Sequence, residues 1–164
     1  AGSIYTSSDG TTWTLRSSGT TNSLNGVTYG NNKFFAVGNS GTVLTSSDGT
    51  TWTEVSESAS DNDNSSTDGG FIYQLNDISY GSSTYVILGD NSTGSAGSIY
   101  TSSDGSSWNS RYSTSNFLRE VNYGGGLYLA VGDSGTILTS SDGTSWTSRT
   151  SKTSQHLRGV TYSD

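Results

Sequence analysis

Two carboxylates and two guanidiniums interrupt an otherwise repetitive sequence of 164 residues. The pattern Leu-x-x-(Val/Ile)-x-Tyr occurs four times, starting at Leu24, Leu75, Leu118 and Leu157. Its second position holds Asn25, Asn76, Arg119 and Arg158, and its third holds Gly26, Asp77, Glu120 and Gly159. Two successive copies therefore carry a carboxylate where the other two carry glycine. If the copies are neighbours in space, Asp77 and Glu120 face one another, with Arg119 and Arg158 close by. A carboxylate pair can serve as acid and base in glycoside hydrolysis when its spacing suits. The same four side chains can instead form a salt-bridged lining, and the residues favour that reading. They are the candidate ligand-binding set.

Other chemistry-bearing residues are sparse. Asp61-x-Asp63-x-Ser65, with Asp68 beyond, begins like a calcium loop. It lacks the glycine at the sixth place and the glutamate at the twelfth, where Ser66 and Ile72 stand, so calcium competes with a plain acidic loop. Asn64-Ser65-Ser66 and Asn91-Ser92-Thr93 are N-glycosylation acceptors, relevant if the chain is secreted by a glycosylating source. His156 is the single histidine and there is no cysteine. Neither a metal site nor a Ser-His-Asp arrangement can be built on it, and it reads as a solvent-facing loop residue.

The elements that would position these residues come from repeats. Ser-Ser-Asp-Gly-(Thr/Ser)-(Thr/Ser)-Trp occurs four times, with its aspartate at Asp9, Asp48, Asp104 and Asp142 and its tryptophan at Trp13, Trp52, Trp108 and Trp146. The steps of 39, 56 and 38 residues are unequal because of two polar inserts, around 57–68 and 91–96. Asp-Gly between apolar stretches is a hairpin signal, since glycine takes positive φ at no steric cost. Phe34-Phe35-Ala36-Val37-Gly38, Tyr85-Val86-Ile87-Leu88-Gly89 and Leu127-Tyr128-Leu129-Ala130-Val131-Gly132 are unbroken apolar runs, which read as strands buried on both faces. The unit is then a four-stranded antiparallel meander: the Leu-x-x-Val-x-Tyr strand, the apolar strand, a third strand such as Gly41–Thr45, and a fourth carrying the tryptophan.

Meanders of about 40 residues point to an all-β propeller of about four blades, at 24–55, 75–111 and 118–149, with 157–164 and 1–16 as the fourth. The terminal pieces either share one blade, which lacks its second strand, or are completed by another copy. Each blade hides its apolar faces against its neighbours, so all four tryptophans are expected in the core. The box aspartates are expected to accept hydrogen bonds from their own turns. Arg16, Arg111 and Arg149, each three residues after a tryptophan, read as a repeat position on the outer strand, with Val55 in the remaining copy.

Composition narrows the class. A net charge of −7 with pI near 4.3 argues against nucleic acid or an anionic membrane as partner. Charged residues make up only 13% and proline is absent, which suits short uninterrupted strands rather than disorder. The absence of methionine, even at position 1, reads as a processed, excised or incompletely traced chain.

The Ser-x-Asp-Gly-x-x-Trp hairpins resemble the Asp-box, or bacterial neuraminidase repeat, of sialidase-like propellers and of propellers of the photosystem II assembly factor type. The resemblance covers nearly the whole chain, although the family hairpin usually has one more residue between aspartate and tryptophan. It implies a propeller and leaves function open, because these repeats occur in enzymes, binding proteins and scaffolds alike. A sialidase-like enzyme needs three arginines converging on a carboxylate and a Tyr–Glu nucleophile pair. Two arginines can be placed here, and no such pair.

The expectation is therefore a non-enzymatic, extracellular, secreted or virion- or cell-surface module that binds a glycan or a protein. No cofactor is required, with calcium the one candidate ion. The alternatives are a structural repeat of a virion, tail fibre or filament, forming homo-oligomers, and a glycoside hydrolase of sialidase-like type.

Overall fold

The computed structural model describes residues 2–55, 58–60, 74–90 and 96–163. The chain is all-β, arranged in four sheets. β1 (Ile4–Thr6) and β2 (Thr14–Arg16) form a hairpin that pairs with no other described strand. β3 (Leu24–Gly30), β4 (Lys33–Gly38), β5 (Val43–Ser46) and β6 (Thr53–Glu54) form the first full meander. β7 (Ser58–Ser60) lies parallel on the outer edge of the next meander. That sheet contains β8 (Leu75–Gly81), β9 (Thr84–Asp90), β10 (Gly97–Ser102) and β11 (Ser107–Thr114). β12 (Leu118–Gly124), β13 (Leu127–Gly132), β14 (Ile137–Ser140) and β15 (Thr147–Arg149) form the last.

Turn chemistry sets the antiparallel order. The first two strands of each meander join through two left-handed residues: Asn31 and Asn32 (φ 48° and 59°), Ser82 and Ser83 (45° and 61°), or Gly125 and Gly126 (58° and 79°). This is the hairpin turn whose twist matches that of its strands. The box loops are longer than a two-residue hairpin and are held by side chains. In the first, the Thr11 and Thr12 amides donate to Asp9 Oδ1 at 2.8 Å, and the Gly10 amide donates to Ser7 Oγ at 2.9 Å. The same contacts recur around Asp48, Asp104 and Asp142.

Two cores lie between the three full meanders. One joins Phe35, Val37 and Val43 to Leu75, Ile78, Tyr85, Ile87, Tyr100 and Trp108. The other joins Val86, Leu88 and Ile99 to Leu118, Val121, Tyr128, Ala130 and Leu138. The two share one plan. The second strand of the earlier sheet gives two apolar residues spaced by two, and the later sheet receives them with its Leu, Val/Ile, Tyr and Trp. Burying an aromatic of this size removes about 150–250 Å² from water, an upper bound of several kcal/mol each. Each interface is also pinned by a tyrosine: Tyr85 Oη donates to the Gly30 carbonyl at 2.7 Å, and Tyr128 Oη donates to the Gly81 carbonyl. Gly30 and Gly81 are required there. A Cβ on either would lie 2.1 Å from the ring of Tyr80 or Tyr123.

Two expectations need correction. Trp13 is 60% exposed, whereas Trp108 is 1% exposed, so the four indoles do not share one environment. Trp52 and Trp146 are half-buried. No strand ladder joins residues 157–163 to β1 or β2 among the described residues. The first insert, expected as a plain loop, contributes β7, because the outer edge of β11 offers free backbone groups to pair with. Asp61, Asp63, Asp68, Asn64 and Asn91 lie outside the described residues.

Candidate functional site

The first strands of the three full meanders, β3, β8 and β12, run side by side, and each is bulged at the same place. The register slips between Leu24 and Gly26, between Leu75 and Asp77, and between Leu118 and Glu120. A bulge re-aims the extra residue. Here the extra residues are Asn25, Asn76 and Arg119, turned toward the loop after the second strand. Asn25 Nδ2 donates to Asn39 Oδ1 at 2.9 Å and to the Leu75 carbonyl at 2.7 Å. Asn76 Nδ2 donates to the Leu118 carbonyl at 2.8 Å. Arg119 forks onto Asp133, with Nε donating to Oδ1 at 2.9 Å and Nη2 donating to Oδ2, while its guanidinium carbon lies 5.0 Å from the Phe117 ring centre.

Charge gathers around that fork. His156 Nδ1 lies 3.0 Å from Asp133 Oδ1, so the histidine is exposed as expected but has a carboxylate partner. The Arg119 hydrogen bond holds Asp133 below the ordinary carboxylate range, with the charges of Arg119, His156 and Arg158 adding to it. Burial raises Asp90, which the Asn76 hydrogen bond and then the Arg119 charge partly offset. Arg119 thus pairs with Asp133 rather than with the carboxylate pair.

Asp77 sits elsewhere, between β3 and β12. Its Oδ2 accepts the Val121 amide at 2.9 Å, and its Oδ1 lies 2.6 Å from where a Cβ on Gly26 would be. Gly26 is therefore glycine because Asp77 occupies its side-chain space. Burial pushes Asp77 up to about 6, the amide bonds oppose this, and the Glu120 charge adds to the rise. Glu120 in turn lies over Gly159, its Oε2 3.4 Å from a Cβ placed there. For Asp77 and Gly26 the exchange of carboxylate for glycine is thus a packing relation between the adjacent strands β8 and β3, whereas the Glu120–Gly159 approach is ordinary contact. The signal was in the sequence, but pairing each acid with the glycine beside it needs the fold.

The repeated arginines also find a role that the sequence left unassigned. Nε of Arg16, Arg111 and Arg149 donates to Thr6, Thr101 and Thr139 Oγ1 at 2.8–2.9 Å, tying the fourth strand to the third.

A second site was not foreseen. Between β1 and the β3–β6 sheet lies an open cavity of about 550 Å³. Ile4, Leu24, Val27, Phe34, Ala36 and Trp52 give it an apolar wall, with Asp48 at its margin. Val27 is 65% exposed, whereas its repeat counterparts Ile78 and Val121 are each 3% exposed.

No protein-family model matches the chain, and no curated protein matches it. Solved structures do. A structure described as YCF48 bound to D1 peptide aligns with TM-score 0.60 and 19% identity, over 79% of this chain and 40% of that one. YCF48 from Cyanidioschyzon merolae aligns with TM-score 0.56 and 20% identity, over 76% of this chain and 36% of that one. A Bombyx mori GH32 β-fructofuranosidase in complex with sucrose aligns with TM-score 0.46 and 13% identity, over 82% of this chain and 35% of that one. The chain has the β-propeller fold and spans about two-fifths of the length of the first of these.

Proposed function

We propose that this chain is a non-enzymatic propeller module that binds a protein segment in the apolar groove between β1 and the β3–β6 sheet. The observation that carries the reading is the exposure of Val27 beside Leu24, Phe34 and Trp52, in a fold that buries the equivalent residues elsewhere. A contiguous apolar groove of this kind marks an interaction surface. One structural neighbour, YCF48 bound to D1 peptide, adds support for a peptide or protein ligand. The proposal includes an extracellular or surface setting, which the Ser-, Thr- and Asn-rich, lysine-poor composition supports. A displayed random-peptide library tests the reading. Enriched peptides that lose binding to Val27→Asp are expected. Enrichment of none overturns it.

A glycan is the second reading, favoured by the exposed indole of Trp13 and the half-buried one of Trp52 on the same groove. A glycan array with hits abolished by Trp13→Ala would move the assignment there. A virion, fibre or filament component rests on self-association, which a solution mass reports. The glycosidase reading has the least support, because the Asp77 carboxylate is taken up by the Val121 amide and by packing on Gly26. Glu120→Gln with unchanged turnover of any substrate found would remove it.

A further inference from the structure

We propose that Asn25 is a modification site: its side chain deamidates through a cyclic imide with Gly26, and the product loosens the contact between the first two full meanders. The reactant is water, and the product is aspartate or isoaspartate. This goes beyond the binding reading and does not rest on it.

Asn25–Gly26 is the one asparagine–glycine pair in the 164 residues. To close the imide, the side-chain carbonyl carbon must swing over the next main-chain nitrogen. A side chain on the next residue stands in the way, and glycine leaves the approach open. Gly26 cannot be exchanged for a bulkier residue, because a Cβ there would lie 2.6 Å from Asp77 Oδ1 and 2.8 Å from Asp77 Cα. The reactive pair is thus a consequence of how β8 packs on β3. The bulge adds local freedom. Leu24 pairs with Gly38 and Gly26 with Val37, and the ladder passes over Asn25 between them. Water reaches this position. Asn25 is exposed, and its counterpart Asn76 is only half-buried although β8 lies between β3 and β12. Asn76 sits on the same kind of bulge, but Asp77 follows it and brings a side chain. Two hydrogen bonds hold the Asn25 amide, so the reaction runs from the brief openings in which they are broken.

The Gly26 nitrogen attacks Asn25 Cγ and forms the new N–Cγ bond of a five-membered imide. The Cγ–Nδ2 bond breaks, and Nδ2 leaves as ammonia with the proton that Gly26 gives up. Water then opens the ring. Attack at Cγ returns a normal aspartate, and attack at the main-chain carbonyl routes the chain through Cγ as isoaspartate. Either product removes a donor. Nδ2 of Asn25 serves Asn39 Oδ1 at 2.9 Å and the Leu75 carbonyl at 2.7 Å, and the second of these joins β3 to β8. Asn76 makes the matching bond to the Leu118 carbonyl, so the contact is a repeated staple between first strands. A carboxylate at position 25 sets a negative charge against two acceptor oxygens and leaves both without their donor. Isoaspartate also adds an atom to the main chain of β3, which moves Gly26 from the place where it clears Asp77.

The test ages the folded chain in mildly alkaline buffer and maps its peptides by mass spectrometry. The expected result is exchange of –NH2 for –OH at Asn25 ahead of every other asparagine, with isoaspartate as the larger product. The four box Asp-Gly pairs do not confuse the reading, because aspartate isomerises without a change of mass. Asn39 and Asn109, each followed by serine, are the controls, and conversion of either as fast as Asn25 overturns the argument from glycine. Conversion of Asn25 in the urea-unfolded chain but not in the folded one shows that the bulge protects the pair, and overturns the site. The consequence for the contact is read from Asn25→Asp, which mimics the normal product. Its melting temperature is expected to fall by about 2–4 °C, with faster amide exchange along β8. A melt and an exchange pattern equal to those of the parent overturn the loosening. If Asn25→Asp does not fold, the aged parent supplies the same comparison, and isoaspartate must then be enriched in the fraction that melts early.

Discussion

Ile78 and Val27 hold the same place in successive meanders, and their surroundings differ. Ile78 is covered by Phe35 and Val37 from the sheet before it, whereas Val27 faces a groove whose opposite side, among the described residues, holds the short strands β1 and β2. The difference teaches what holds such an array together. A full interface needs the second strand of the earlier sheet, because that strand supplies both inserted side chains. The third strand alone supplies one, Ile4, and leaves the wall half-clothed.

The tryptophans give the widest separation of outcomes. Trp108→Ala is expected to cost about 3–5 kcal/mol in chemical denaturation, as a large aromatic removed from a packed core. Trp13→Ala is expected to stay within about 0.5 kcal/mol, as an exposed substitution does. Equal costs would mean that β1 and β2 are as well covered as the inner sheets.

Asp77 marks a cost of close packing at the inner strands. Its folded pKa is raised to about 6 from an ordinary 3.8, so the folded state holds the extra proton between those values. Stability conferred by protonation is present below that window and lost as pH rises through it. Asp77→Asn should remove this slope and raise stability at pH 7 by up to about 3 kcal/mol. A wild-type stability profile flat from pH 4 to 6 would contradict the assignment. The box aspartates act in the opposite direction. Asp9, Asp48, Asp104 and Asp142 are held below the ordinary carboxylate range, chiefly by the amides and hydroxyls of their own loops. Their contribution is present above about pH 4 and lost on further acidification. The two slopes together place maximum stability on the acid side of neutral, which melts across a pH series will show.

Tyr128→Phe is a smaller test. Its hydroxyl donates to the Gly81 and Thr84 carbonyls, so its loss is expected to cost about 1–2 kcal/mol. Phe34→Tyr, at the equivalent place facing the groove, is expected to shift stability by less than about 0.5 kcal/mol. A large gain from Phe34→Tyr would mean that a carbonyl partner is present there after all.

Much of the architecture was legible because the repeats fix it. The apolar runs became β4, β9 and β13, and the box motifs became loops closed on their own serine and aspartate. The exposed Trp13 and the groove were harder to see. Residue type alone assigns every indole to the core, whereas among the described residues Trp13 stands on a sheet of only two strands. The four charged candidates stood out by breaking the repeat, yet their roles depend on which strand lies alongside which. Asp77 is explained by Gly26 on the adjacent strand, and Arg119 by a bulge that turns it toward Asp133. Neither relation can be read along the chain.

The most direct test of the unequal interfaces is a matched pair of aspartate substitutions followed by urea unfolding. Ile78→Asp is expected to cost more than about 4 kcal/mol or to prevent folding, because it buries a charge without a partner. Val27→Asp is expected to leave the midpoint within about 0.5 kcal/mol of the parent. Loss of folding in Val27→Asp comparable to that in Ile78→Asp would mean that the groove is closed in solution, and would contradict the account.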